Sequence, residues 1–82
     1  MSLIVLFGEN VRAARLQKGW SQDDLADACA LDRTYVSSIE RGKRNPTLRV
    51  VEQFAHGLGV PAANLLDENF RQILLSNSAL AP

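Results

Sequence analysis

Apolar side chains recur along this chain with the period of helices, and no stretch alternates as a half-buried strand would. Phe7, Val11 and Ala14 predict a first helix over about residues 6–18, stopped by Gly19. Asn10, Arg12 and Gln17 are expected on its outer side, with Arg15 bordering the apolar stripe. Ser21-Gln22-Asp23-Asp24 then has the form of a capping box, with aspartate in place of the usual Glu or Gln. Trp20, just ahead of it, can staple onto the first turn. A second helix follows over about residues 22–29, with Leu25, Ala26 and Cys29 inward and acids in its first turn, where the helix dipole favours them. Ala30-Leu31-Asp32 leaves only a tight connection before the next helix, with Leu31 filling the angle. Two short helices joined in this way are the helix-turn-helix pattern.

The second of these helices, Asp32 to Gly42, divides unusually. Wound at helical pitch, Val36, Ile39 and Glu40 share one side, while Arg33, Thr34, Ser37, Ser38 and Arg41 share the other. Tyr35 falls on the border, half toward the core and half available to a ligand. Short hydroxyls beside arginines allow another surface to approach closely, and the major groove of DNA is one that fits. An ordinary solvated helix face has much the same pattern, so this stretch alone leaves both readings open. After it come a basic loop, Lys43-Arg44-Asn45-Pro46, and Thr47 as the cap of a fourth helix over about residues 48–58. Val51, Phe54, Ala55 and Leu58 face inward there, and Gly57 and Gly59 mark its end. Pro61 suits the first turn of a fifth helix carrying Leu65 and Leu66. Phe70, Ile73, Leu74 and Leu75 make one more apolar stripe before a Ser/Asn/Ala tail expected to fray.

Composition agrees with a single all-α domain. The chain has 82 residues, 46% hydrophobic and 22% charged, which is ordinary for a folded protein and leaves a small core that association would help. The expected fold is a compact five-helix bundle over about residues 6–66, with residues 67–82 as a C-terminal extension. Cys29 is the only cysteine, so no intrachain disulfide can form. The run Leu3–Phe7 is too short to cross a bilayer and lacks a signal-peptide flank, making the cytoplasm the default location. Net charge is zero, but it is unevenly placed. Residues 21–40 are acidic, whereas Arg41, Lys43, Arg44 and Arg49 follow with no acid among them. That is a local basic patch immediately after the polar-faced helix.

The run Val11-Arg12-Ala13-Ala14-Arg15, Gly19-Trp20-Ser21-Gln22, Leu25-Ala26, Leu31-Asp32-Arg33, Ile39 through Thr47 and Leu58-Gly59-Val60 resembles the Cro/phage-repressor-like, XRE-type helix-turn-helix regulators. The resemblance covers about residues 7–66. Within it, Leu31 through Ser37 with Ile39-Glu40-Arg41 is most similar to the controller proteins of restriction–modification systems, which are short dimeric regulators with no separate ligand domain. It implies a lambda-repressor-like fold and a homodimeric transcriptional regulator binding a palindromic DNA operator. It also implies that Gln22 contacts phosphate and that Arg15 and Glu40 pair across two helices. One position departs: Ala30 stands where the family commonly has glycine. If that backbone is left-handed, alanine costs about 1 kcal/mol relative to glycine.

On this reading Arg33 reads a base, because its guanidinium fork matches the O6 and N7 acceptors of guanine. Thr34, Ser37 and Ser38 share its face as base contacts, with Tyr35 a further candidate. Ser21, Gln22, Arg41, Lys43, Arg44, Asn45 and Thr47 form the expected phosphate-contact group, which gives affinity and register without sequence information. A symmetric dimer on half-sites about 34 Å apart would supply specificity. Leu65, Leu66, Phe70, Ile73 and Leu74 are its expected interface, and truncation after Asp67 is expected to leave a folded monomer. The same apolar stripe would alternatively serve an antitoxin, or a prophage or plasmid regulator, that binds a small partner protein; RNA polymerase is another conceivable partner. Cys29 and His56 lie on separate helices, and no metal cluster, phosphate-cradling glycine loop or catalytic triad is evident. No enzymatic activity and no cofactor are therefore expected.

Overall fold

The computed structural model describes residues 2–80, with side chains described through residue 76. Five α-helices follow in order: α1 (Leu3–Gln17), α2 (Gln22–Cys29), α3 (Arg33–Glu40), α4 (Leu48–Leu58) and α5 (Phe70–Leu80). A 3-10 turn, Ala62–Leu66, stands between α4 and α5 where a fifth α-helix was expected. The described residues contain no strand. α1 starts earlier than its apolar period suggests, because Ser2 caps it by accepting the Ile4 N–H at 3.2 Å. An unbroken apolar run such as Leu3–Phe7 has no period from which to read a start. α5 extends to Leu80, into the Ser/Asn/Ala stretch, and residues 81 and 82 lie outside the described residues.

α1 to α4 all end in the same way. Gly19, Ala30, Gly42 and Gly59 take φ of 72°, 57°, 70° and 70°, and the N–H of the following residue returns to a carbonyl in the last turn. These bonds are Trp20 to Arg15 at 3.2 Å, Leu31 to Ala26 at 2.9 Å, Lys43 to Ser38 at 3.0 Å and Val60 to Ala55 at 3.0 Å. Ala30 therefore keeps the left-handed turn geometry without the residue that suits it.

Phe7, Val11, Leu25, Val36, Ile39, Phe54, Leu58, Leu65 and Phe70 fill the centre, with Phe7 and Phe54 edge-to-face at 5.6 Å between ring centroids. Three sequence-based expectations are corrected here. Asn10 does not face outward: it is fully buried, and its Nδ2 donates to the carbonyls of Leu65 and Asp67 at 2.9 and 3.0 Å, fixing the end of the 3-10 turn on α1. Leu65 and Phe70 are 0% and 1% exposed, so both belong to the core of one chain and neither is available to a second copy. The third follows from Phe70: cutting the chain after Asp67 removes a core aromatic, a loss of about 3–5 kcal/mol by analogy with Phe→Ala substitutions, and a stable monomer is no longer expected. α5 is further held to α1 by Gln17 Nε2 donating to the Leu74 carbonyl at 3.0 Å and by Arg71 beside Glu9 at 3.3 Å.

Candidate nucleic-acid interface

The polar face of α3 is oriented by contacts on its opposite side. α1 and α3 approach closely at Gly8, where a Cβ would fall well inside 3.0 Å of the Ile39 carbonyl oxygen and 3.1 Å from that of Glu40. Further along α1, Arg15 donates from Nε and Nη2 to the two oxygens of Glu40 at 2.7 and 2.9 Å, and from Nη1 to the Trp20 carbonyl at 2.9 Å. The Glu40 side chain is only 3% exposed. The hydrogen bonds that Arg15 donates to Glu40 hold its pKa above the ordinary value, outweighing the opposing effect of burial. Gln22 joins the same pair, its Nε2 donating to Glu40 Oε1 at 3.2 Å. Glu40 thus links the first turn of α2 and the last turn of α3 to α1. The sequence-based pair is present in this geometry.

Each end of the helix-turn-helix is closed locally. Ser21 Oγ accepts the Asp24 N–H at 3.0 Å while the Asp24 carboxylate accepts the Ser21 N–H at 2.9 Å, completing the capping box. Only the Ser21 hydroxyl proton is left for an outside acceptor. Asp32 caps α3 by accepting the Thr34 N–H at 2.9 Å. Thr47 caps α4 by accepting the Val50 N–H at 3.2 Å, so its role in the fold is settled whatever else its hydroxyl does.

Arg33 and Thr34 are exposed and Ser37 is half-buried on the outer side of α3. Ser38 does not belong with them. It is 8% exposed, and its carbonyl accepts the Lys43 N–H in the turn through the left-handed Gly42. Tyr35 is half-buried against the core, and the Arg44 guanidinium lies over its ring at 5.5 Å. Its border position is thus resolved: one part of the ring packs inward and another carries the loop arginine. Arg41, Lys43, Arg44 and Asn45 are all exposed beside this face, with Arg41 Nε donating back to the Ser37 carbonyl at 3.3 Å.

The expected dimer residues are not brought together. Leu66 borders a depression shared with Leu3, Ile4, Phe7, Asn45, Pro46, Leu48 and Val51, next to the basic loop. Leu74 lines a different groove between α1 and α5, with Ala13, Leu16, Gln17, Arg71 and Leu75. Leu48 and Leu3 are 80% and 62% exposed in the first of these, and neither was singled out from the sequence. Gly8 also escaped notice, although a glycine inside an apolar-faced helix is itself a sign of close approach. Cys29 is buried, which pushes its thiol pKa up to about 11, and its neighbour across a shallow depression is the exposed His56. Among the described residues no group of three or more His, Cys, Asp or Glu side chains could hold a metal ion, and no helix is long and apolar enough to cross a membrane.

Comparison with known proteins agrees with this geometry. The helix-turn-helix family profile matches residues 11–65. The control protein C.BamHI of Bacillus amyloliquefaciens is 50% identical over 64 residues, covering 77% of this chain and 79% of that protein. The crystal structure of a hypothetical transcription factor from Neisseria superposes with a TM-score of 0.81 at 43% identity, covering 90% of this chain and 85% of that one. The restriction–modification controller protein C.Esp1396I, solved as a tetramer with its natural 35 base-pair operator, superposes with a TM-score of 0.72 at 37% identity over 93% of each chain. With that breadth of agreement in sequence and in fold, the chain belongs to the helix-turn-helix family of transcriptional regulators that includes the restriction–modification control proteins.

Proposed function

We propose that this protein is a homodimeric, sequence-specific DNA-binding regulator of transcription that acts in the cytoplasm on a palindromic operator, as the controller of a restriction–modification system. The observation carrying this reading is the outward face of α3, with Arg33 and Thr34 exposed and Ser37 half-buried, flanked by Arg41, Lys43 and Arg44 with no acid in that loop. The side chains on α3 read bases and the loop holds phosphates. The operator complex of C.Esp1396I supports the same use of the fold. We read the protein as a non-enzymatic binding module.

Geometry favours one of the two apolar patches for the dimer. α3 lies on the Gly8–Arg15 edge of α1, while α5 lies on its Ala13–Gln17 edge, across α1 from α3. Pairing through α5 would separate the two reading helices by five interhelical spacings, roughly 45 Å when stacked in line. Adjacent half-sites are about 34 Å apart. The Leu3, Leu48 and Leu66 patch adjoins the phosphate loop itself and supports a shorter span. Leu48→Asp is accordingly expected to give a folded monomer by sedimentation and to weaken operator binding. The α1–α5 groove favours a second reading for that surface alone, the docking of a small partner protein; co-purification with the product of an adjacent gene tests it.

Selection of bound sequences from random DNA, followed by titration with wild type and Arg33→Ala, tests the main reading. Arg33→Ala is expected to lose about 1–3 kcal/mol on the selected site, roughly 5- to 150-fold in Kd. Binding as tight as wild type on that site overturns the assignment.

A further inference from the structure

Arg33 is not free in the unbound protein. Its Nε lies 3.4 Å from Oδ1 of Asp23, an acid in the first turn of α2, on the other arm of the helix-turn-helix. Both side chains are well exposed, at 61% and 73%, and such pairs contribute little to folding stability. The interest lies in which part of the guanidinium the carboxylate occupies. Arginine reads guanine with two N–H donors, either from the Nη pair at its tip or from Nε and Nη2 along its side. Nε is the guanidinium nitrogen paired with Asp23, which leaves the Nη pair as the fork for a base edge.

We propose that Asp23 is a specificity-determining positioning residue: it aims the Arg33 fork at a guanine edge and opposes its diversion to the phosphate backbone. This rests on the DNA-binding reading above. Two effects combine. Holding a flexible side chain in its binding orientation before contact lowers the ordering cost of the specific complex. A carboxylate at the edge of the reading face also repels phosphates, so an Arg33 that leaves the groove gains less from the backbone than an unescorted arginine would. Discrimination then comes from a repulsive element as well as an attractive one. The placement of Asp23 is well suited to this, because it is attached to α2 and does not move with α3 side-chain rotamers. The neighbouring Asp24 is already committed to the capping box.

The test compares Asp23→Asn with Asp27→Asn, which removes an equal charge from the exposed side of the same helix and leaves the Arg33–Asp23 pair in place. Kd is measured for each on the selected operator and on random-sequence DNA of equal length, at two salt concentrations. Asp23→Asn is expected to lower the ratio of specific to non-specific affinity about tenfold, or one decade. Asp27→Asn is expected to tighten both DNAs alike and leave the ratio within about twofold, as a purely electrostatic change should. Asp23→Asn is also expected to suffer less than wild type when the guanine read by Arg33 is replaced. In an Arg33→Ala background, Asp23→Asn should leave the ratio unchanged. Unfolding midpoints monitor the fold, and an exposed pair predicts little change. An unaltered ratio in Asp23→Asn, or an equal loss in the Arg33→Ala background, overturns the proposal while the DNA-binding reading stands. If wild type shows no sequence preference in the selection, that reading fails and this one with it.

Discussion

Replacing Gly8 with alanine adds a single methyl group at the close contact between α1 and α3. The added Cβ would fall well inside 3.0 Å of the Ile39 carbonyl oxygen, 3.1 Å from the Glu40 carbonyl oxygen and 3.3 Å from the Glu40 carbonyl carbon. All three are backbone atoms, so no side-chain rotation relieves the clash. α1 and α3 must separate by a shift on the order of 1 Å, and such overpacking costs about 1–3 kcal/mol. The upper half of that range applies, since Val36, Ile39 and the Arg15–Glu40 pair must move with α3. Alanine is the better helix former by about 0.8–1 kcal/mol, which offsets part of the loss. A net destabilisation of about 1–2 kcal/mol follows, or a fall of roughly 4–16 °C in unfolding midpoint for a domain of this size.

DNA binding should be affected separately from stability. Arg15 Nε and Nη2 hold Glu40 in two short bonds, and Gln22 is tied to the same carboxylate. A displaced α3 strains that network and tilts Arg33 and Thr34 relative to the loop at Lys43 and Arg44. Circular dichroism melts and operator titration well below the melting transition separate the two losses. Gly8→Ala protein that melts at or above the wild-type midpoint and binds the operator equally would refute the reasoning, because α3 would then not be seated on backbone at Gly8.

Three further outcomes are expected. Glu40→Gln leaves the buried Arg15 without its charge partner and should cost about 3–5 kcal/mol in urea unfolding; a loss below 1 kcal/mol would show the pair to be solvated. Ala30→Gly relieves left-handed strain of about 1–2 kcal/mol but frees the unfolded chain, leaving a net gain of about 0.5–1 kcal/mol in the same measurement. A lower midpoint for that variant would mean that Ala30 is not left-handed. Cys29, its thiol pKa pushed up to about 11 by burial, should alkylate about 100-fold more slowly at pH 8 than in urea, since only the thiolate reacts and burial opposes its charge. Equal rates folded and unfolded would contradict its burial.

What the sequence revealed of this molecule is what local chemistry decides. Ser21, Asp32 and Thr47 cap helices because each reaches an N–H two or three residues ahead, and Gly19, Gly42 and Gly59 stop them because each turns the chain left-handed. The Arg15–Glu40 pair came from family resemblance and not from spacing. What stayed hidden depends on distant chain. Asn10 reads as a surface residue until the carbonyls of residues 65 and 67 close over it. Ser38 falls on the polar side of α3 by helical pitch, yet tertiary packing buries it to 8% exposure. Leu65, Leu66, Phe70, Ile73 and Leu74 read as one apolar stripe in sequence, yet Leu65 and Phe70 are core, and periodicity has no means of distinguishing a core from an interface.

The residues that orient α3 and the residues that present its chemistry form two nearly separate sets. Gly8, Arg15, Val36, Ile39 and Glu40 fix where the helix lies, through backbone contact, a buried ion pair and apolar burial. Arg33, Thr34 and Ser37 lie on the outward face that we propose meets DNA, and apart from the exposed pairing with Asp23 they add little to the fold. Substitutions in the second set change surface side chains, whose effect on stability is usually within about 0.5 kcal/mol. On the proposed DNA-binding role, operator preference can drift by exchange at residues 33, 34 and 37 while the scaffold is untouched. Changes at Gly8 or Glu40 lose fold and reading together. Tyr35 belongs to neither set: it is packed inward and stacked under Arg44, so it touches both the basic loop and the seat of the helix.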